Sequence, residues 1–486
     1  MPEINFDNTY ARLPEGFFAR VAPAIVPEPS LIKVNEALAS ELGLDASWLR
    51  SPAGIAMLAG NALPKTADPI AMAYAGHQFG GFSPQLGDGR AILLGELVGS
   101  DGVRRDVQLK GAGQTPFSRN GDGKSPLGPV IREYLVSEAM AALGVPTTRA
   151  LAAVTSGELV QRESAVPGGV FTRVAQSHVR VGTFEFFAAK GETEQLRRLA
   201  DYVIDRHYPE ARQTDNAYRA LLDGVIARQT KLIAQWMQVG FVHGVMNTDN
   251  TQIVGETIDF GPCAFMERFD PQTVFSSIDR QGRYAWGKQP SIAHWNLVRL
   301  AEALLPLLDE DSDAAVKQAE AALEAFAPAF NTAFIDGFRR KLGLAPSYAA
   351  DPEGAGAIVN DTFDVMAQQA VDFTLFFRRL TLVAAGANPE AFLSLFSDHD
   401  AGEKWLEDWR AAGPQDIDGM HEVNPIFIPR NHRVEEAIQG ALRGDFAPFE
   451  RLNAVLARPF DEQPEHAEFE SPAAAGEVVE HTFCGT

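Results

Sequence analysis

The chain has 486 residues, is 45% hydrophobic and 22% charged, and carries a formal net charge of −22. That length exceeds what one core usually serves, so two lobes are expected. The acidic balance opposes nonspecific binding to nucleic acid or to an anionic membrane, though not a locally cationic nucleotide pocket.

No run of about eighteen or more apolar residues suggests a membrane span. Met1–Asp7 lacks the basic and apolar regions of a signal peptide, so a cytoplasmic protein is expected. Two cysteines, Cys263 and Cys484, make neither a disulfide framework nor a zinc site. HExxH and GxSxG are absent, which argues against metallohydrolase and serine-hydrolase chemistry.

In chain order, residues 1 to about 70 mix short helical stretches with Pro-rich loops such as Pro23–Pro29. A glycine-dense strip follows, Gly76-His77-Gln78-Phe79-Gly80-Gly81 and then Gly87-Asp88-Gly89-Arg90. Ala91–Leu97 and Asp106–Lys110 read as strands around a Gly-Ser-Asp-Gly turn at 99–102. Val130–Leu143 reads as a helix that opens near Pro129 and stops at Gly144 and Pro146.

The second half is mainly helical. Leu221, Leu222, Val225, Ile226, Ile233 and Trp236 recur at helical spacing within Tyr218–Val239. Further helices are expected over Ile292–Leu308, Ala314–Leu342, Phe363–Ala384 and Pro389–Leu395. A turn-rich strip lies at 346–356 and a loose tail is expected after Pro459.

Directly after the Tyr218–Val239 pattern comes His243-Gly244-Val245-Met246-Asn247-Thr248-Asp249-Asn250, and then Asp259-Phe260-Gly261. A protein kinase writes H-R-D-x-x-x-x-N followed by D-F-G. Here the His and Asn keep their spacing while Val245 occupies the position of the catalytic Asp. Asn250 and Asp259 are oxygen donors close enough in sequence to share one Mg²⁺, which favours a carboxylate or two plus phosphate and water.

Lys110 closes a strand, where a kinase lysine would hold phosphates and pair with a helix glutamate. Glu133 and Glu138 both compete for it, and helical periodicity favours Glu138. Gly87-Asp88-Gly89-Arg90 and Gly121-Asp122-Gly123-Lys124-Ser125 are candidate phosphate loops, because glycines let backbone N–H groups approach anions. The second is not a Walker loop, since Ser118 stands where glycine would be needed. Arg173 and Arg180 are candidates to grip terminal phosphates.

Several long strips, YAGHQFGGFSPQLGDGRA, LKGAGQTPFSRNGDGKSPLGPVIREYLVSEAM, GVPTTRAL and HGVMNTDN with DFGPC, closely resemble the selenoprotein O family. The resemblance runs from about residue 5 to Cys484-Gly485-Thr486. It implies an α+β, protein-kinase-like bilobal fold with a small β-rich N-lobe and a mainly helical C-lobe, binding ATP in a flipped pose. The implied reaction is transfer of AMP to Ser, Thr or Tyr hydroxyls of proteins with release of pyrophosphate, using Mg²⁺ or Mn²⁺.

Position by position, Gly87, Gly89, Arg90, Lys110, Asp122, Gly123, Arg173, Arg180 and Asp259 resemble nucleotide contacts. Asn250 and Asp259 resemble metal ligands, Asp249 the proton acceptor, and Glu133 the partner of Lys110. Cys263 and Cys484 resemble a reversible redox pair. Asp249 is a carboxylate beside a metal ligand and suits proton abstraction, which Val245 cannot perform.

The corresponding division is an N-terminal extension over 1–70, an N-lobe over 71–185, a helical C-lobe over 186–458 and a flexible tail over 459–486. A monomer is expected, with ATP and proteins as partners and neither nucleic acid nor membrane. The alternatives are uridylyl transfer from UTP with Mn²⁺, ordinary phosphotransfer with Asp249 as base, and a catalytically silent pseudokinase scaffold.

Overall fold

The structure is a computed structural model and describes residues 4–345 and 352–483, the side chains of 352–355 excepted. Ten strands lie in the N-terminal part: β1 (Phe18–Arg20), β2 (Ser30–Val34), β3 (Ile70–Met72), β4 (Gly76–Gln78), β5 (Gly81–Ser83), β6 (Ala91–Val98), β7 (Arg104–Lys110), β8 (Ser125–Pro126), β9 (Arg149–Gln161) and β10 (Ala165–Ala175). Eight of them form an antiparallel sheet in the order β1-β3-β6-β7-β10-β9-β2, with β8 on β10, while β4 and β5 make a separate hairpin.

Side-chain alternation gives each strand two faces. Ile92 and Leu94 of β6 and Val107 and Leu109 of β7 share a core with Leu38, Leu49 and Leu58 from short helices early in the chain. Asp106, Gln108 and Lys110 occupy the opposite face of β7 and are buried as well. A polar row in a buried strand must find partners, and this one does so at the site described below.

A helix over Leu127–Ala142 lies between the sheet and two late helices, Asn431–Leu442 and Ala447–Leu456. Leu127, Ile131 and Leu135 pack with Ala150, Ala153 and Phe171 of the sheet and with Ile438, Phe449 and Leu452 of those helices. The remaining helices enclose the largest core, in which Leu222, Ile233 and Trp236 of the helix Ala217–Gln238 meet Leu297, Leu304 and Phe338. Among the described residues no helix is long and apolar enough to cross a membrane.

Several expectations change. The first 70 residues are built into the sheet through β1 and β2, so a division at 70 falls on β3; one at 185 cuts the helix Val181–Ala189. The single helix expected over Ala314–Leu342 is two, Ser312–Leu323 and Phe326–Lys341. Pro328 has no N–H to give Glu324, which breaks the helical ladder there.

The stretch 363–384 likewise divides into Pro352–Gln369 and Phe373–Ala384, where Ala370 has φ 51° and Asp372 caps the second helix through Leu375 N. Of the turn-rich strip at 346–356, residues 346–351 lie outside the described residues and the rest begins a helix. The tail after Pro459 is tied down rather than loose. Thr482 donates to Pro262 O at 2.7 Å and its N–H to Phe275 O at 2.8 Å, while Asn431 Nδ2 donates to Val479 O at 3.2 Å.

Candidate active site

The sheet, the helix Leu127–Ala142 and the loop 243–261 enclose a cavity of about 780 Å³. Gly87, Gly89, Arg90, Lys110, Asp122, Gly123, Glu133, Arg173, Arg180, Asp249, Asn250 and Asp259 all line it, although they span 173 positions of sequence. A short antiparallel pair, Phe241–Val242 with Ala264–Phe265, brackets the loop segments that carry Asp249 and Asp259. His243 anchors this bracket: it stacks on Trp236 at 5.2 Å and its Nε2 lies 2.9 Å from Ile258 O.

Three cations converge on one carboxylate. Lys110 Nζ and Arg173 Nη1 donate to Asp259 Oδ1 at 2.6 and 2.7 Å, and Arg180 Nη1 donates to Oδ2 at 3.2 Å. Burial alone would raise the Asp259 pKa, but Lys110, Arg173 and Arg180 outweigh it and hold the group well below the usual carboxylate range. Asp259 adopts φ 63°, a left-handed conformation uncommon for a side-chain-bearing residue. The ion-pair network sustains that conformation by fixing both carboxylate oxygens.

Glu133, not the Glu138 that periodicity favours, meets Lys110: Oε2 lies 2.6 Å from Nζ, and Oε1 lies 3.1 Å from Arg173 Nη1. Glu138 accepts instead from Arg149 Nε at 2.9 Å, Asn35 Nδ2 at 2.7 Å and Ala150 N at 2.7 Å. The helix is covered on both sides, so its wheel has no single polar face to read.

Asp249 is held differently. Its Oδ2 accepts from Gln78 Nε2 at 3.0 Å, while Oδ1 is buried with no hydrogen-bond partner among the described residues. Burial pushes this carboxyl up to about 6, against the lowering effects of Gln78 and Arg180. Gly76 permits the close approach, because a Cβ there would lie 2.5 Å from Asp249 Oδ1. Asn250 Nδ2 donates to Val245 O at 3.0 Å, which orients its amide oxygen away from that carbonyl.

The glycines of both candidate phosphate loops are required sterically. A Cβ on Gly87 would meet Phe117 Cγ at 2.5 Å, and one on Gly123 would meet Gly113 O at 2.0 Å, with φ 128° and 68° at the two positions. Asp122 turns its carboxylate to Arg162 at 2.9 Å. Arg90 has no ion pair among the described residues and leaves its charge available to the cavity.

The donor set suits a hard cation. Asp259 and Asn250 offer a carboxylate and an amide oxygen, and the unpartnered Asp249 Oδ1 adds a third oxygen nearby in sequence. No cluster of three His, Cys, Asp or Glu competent to hold a metal occurs among the described residues. An ion here would therefore complete its shell with phosphate oxygens and water, as Mg²⁺ does.

Sequence reasoning missed the supporting residues. Asp88 Oδ2 accepts from Gln108 Nε2 at 3.1 Å, and Gln108 Oε1 accepts from Arg173 Nη2 at 2.6 Å, which fixes the guanidinium. Arg180 stacks on Tyr74 at 4.5 Å. The alternation of Asp106, Gln108 and Lys110 on β7 was the one available signal. Cys263 is buried beside the loop, and Cys484 lies outside the described residues.

A family profile described as protein adenylyltransferase SelO matches residues 1–457. Proteins named protein nucleotidyltransferase YdiU from Methylorubrum extorquens and from a Bradyrhizobium species are 59% and 58% identical to it, each over 99% of both chains. Such likeness along the whole length, joined to a cavity that gathers the motif residues, shows that this chain belongs to the SelO family and is a protein nucleotidyltransferase.

Proposed function

We propose that the chain transfers AMP from ATP to Ser, Thr or Tyr hydroxyls of proteins, in a kinase-like cleft where the triphosphate lies inverted. The observation that carries this reading is the division of labour between two carboxylates. Asp259 is ion-paired with three cations, whereas Asp249 keeps an unpartnered oxygen and a pKa pushed up to about 6. The first arrangement suits binding, the second suits accepting a proton near neutral pH.

In the proposed step the acceptor oxygen bonds to the α-phosphorus and the bond from that phosphorus to the bridging oxygen breaks. The hydroxyl proton passes to Asp249 and pyrophosphate leaves. Lys110, Arg173 and Arg180 hold the outer phosphates and stabilise the charge that develops on the leaving group. Asn250 and Asp259 would hold Mg²⁺ or Mn²⁺, which when bound neutralises phosphate charge. Gly87, Gly89 and Gly123 let backbone N–H groups approach the nucleotide, with Arg90 and Asp122 at its edge.

Redox control through Cys263 and Cys484 belongs to the same reading. Thr482 donates to Pro262 O, so the chain two residues before Cys484 is tethered next to Cys263.

ATP labelled at the α- or the γ-phosphorus, incubated with the protein and a mixed protein acceptor, tests the reading. Label from the α position alone should reach protein; label from the γ position alone would indicate phosphotransfer. Neither label transferring would indicate a silent scaffold. Labelled UTP with Mn²⁺ in the same assay decides between adenylyl and uridylyl transfer.

A further inference from the structure

Hairpin β4–β5 grips the loop that carries Asp249. Besides the Gln78 contact, His77 N donates to Thr248 Oγ1 at 2.7 Å and Phe79 N donates to Asn247 Oδ1 at 3.1 Å. A hairpin so fastened needs no exposed aromatic side chains to stay in place. Yet Phe79 and Phe82 are 36% and 41% exposed, and Ile278 across the cavity mouth is 62% exposed. Phe79 and Ile278 line the cavity itself.

Beside this apolar rim stands a cation without a carboxylate. The Arg283 guanidinium lies 4.9 Å from the ring centre of Trp295 and 5.7 Å from that of Tyr284, against the hairpin at Gly80. Among the described residues it makes no ion pair, and its Nε is buried without a hydrogen-bond partner. The neighbouring acids are already engaged. Asp279 accepts the backbone N–H groups of Arg283 and Tyr284 at 2.8 and 2.7 Å, and Glu185 binds His77. Arg280 and Lys288 are exposed on the same segment. In a chain with a net charge of −22, a cationic and apolar rim beside the proton acceptor is a local reversal of sign.

We propose that this rim is the docking surface for the acceptor protein. It takes a segment that carries an apolar side chain and a carboxylate near the target hydroxyl, the first against Phe79, Phe82 and Ile278, the second on Arg283. Aromatic faces pre-orient the guanidinium, so little conformational entropy is lost when a carboxylate arrives. Apolar contact supplies affinity, and the opposite charge supplies selection among acceptors. The inference rests on Asp249 as proton acceptor, since that residue places the hydroxyl next to the hairpin.

The test uses the full chain, α-labelled ATP, a mixed protein acceptor and two peptides that share one Ser and one Leu, flanked by Glu in one and by Lys in the other. The Glu peptide should show a kcat/KM higher by about tenfold, the effect of replacing attraction by repulsion at a half-buried cation. Arg283→Glu should reverse that preference, and Phe82→Ser should raise KM for both peptides, with ATP affinity unchanged in each variant.

Equal kcat/KM for the two peptides, or a preference that survives Arg283→Glu, overturns the docking surface while leaving nucleotidyl transfer intact. So does labelling of the protein acceptor with neither peptide labelled, because a short segment then does not suffice. Label reaching neither peptides nor proteins overturns the transfer reading itself.

Discussion

One face of strand β7 carries two clusters of buried charge, about 13 Å apart along the strand. At one end Lys110 joins Glu133, Asp259, Arg173 and Arg180. At the other Asp106 meets Arg206 Nη2 at 2.6 Å and His178 Nδ1 at 3.0 Å, and Arg206 Nη1 lies 3.5 Å from Glu96. Burial would raise the Asp106 pKa, but Arg206 and His178 outweigh it, as the three cations do at Asp259. Ion pairing and burial therefore do not separate function from support. The Asp259 cluster faces the cavity, has a left-handed backbone at its centre, and sits beside a carboxylate with an unpartnered oxygen. The Asp106 cluster does none of these.

That contrast can be broken from either end. The largest effect should come from Asp259→Asn, which keeps the shape but removes the charge that pairs with three cations and that the proposed metal would need. Transfer of α-label should fall by about 10³-fold or more, with the folded fraction unchanged by circular dichroism. If Asp259→Asn retains most of its activity, the cavity cluster is as structural as its counterpart.

Asp249→Asn comes next and should lower the same transfer by about 10²–10³-fold, the usual worth of a general base. Stability should move the other way. An acid whose folded pKa is raised to about 6 is charged at a cost above that pH and at none below its unfolded value of 3.8. The variant, measured without nucleotide or metal at pH 8, should melt higher than the parent. A lower melting temperature would mean that the ionised carboxylate has partners other than Gln78.

Much of this site is legible in the sequence because its chemistry is written in short contiguous strings. His243 to Asn250, Asp259-Phe260-Gly261 and the strand ending in Lys110 each declare a local geometry. What stayed hidden is what depends on long-range burial. Gln78 reaches Asp249 across 171 positions, and Arg173 reaches Gln108 across 65.

The longest hairpin, β9–β10, was also missed. Ala150, Ala152 and Ala153 carry weak strand preference and are placed by packing, Ala150 and Ala153 with Phe171 and Leu127 and Ala152 in the core of Val154 and Val174, which no local pattern shows. Glu133 was reachable through family resemblance, whereas the helical wheel pointed to Glu138, because a helix buried on every side offers no amphipathic signal.

At the supporting end, Arg206→Ala should destabilise the fold by about 3–4 kcal/mol, since among the described residues it takes from buried Asp106 its one guanidinium and leaves buried Glu96 with Arg104 as its one cation. Denaturant titration measures the loss. The surviving folded protein should keep its ATP affinity and its turnover, which distinguishes support from function. Loss of turnover in fully folded Arg206→Ala protein would join the two clusters into one functional unit.

The smallest effect is expected at Glu256, which borders the supporting cluster and accepts from Gln176 N at 3.0 Å, while Gln176 O accepts from Arg206. Burial pushes this carboxyl up to about 7, against the lowering effect of Gln176. Its unfolded value is 4.5, so folding favours the protonated form. The cost of ionisation is absent below about pH 4.5, grows as the pH rises, and is complete above about pH 7, where it reaches at most about 3 kcal/mol.

Glu256→Gln keeps an acceptor for Gln176 N and removes the titration. The variant and the parent should be equally stable at pH 4.5, and the variant should gain up to about pH 7 and level off above it. Arg105 sets the sign of this test, because its charge opposes the rise at Glu256 and a guanidinium strong enough to hold that acid ionised would erase the gain. A parallel pair of stability curves would therefore show that Arg105 holds Glu256 ionised against burial, much as Arg206 and His178 hold Asp106.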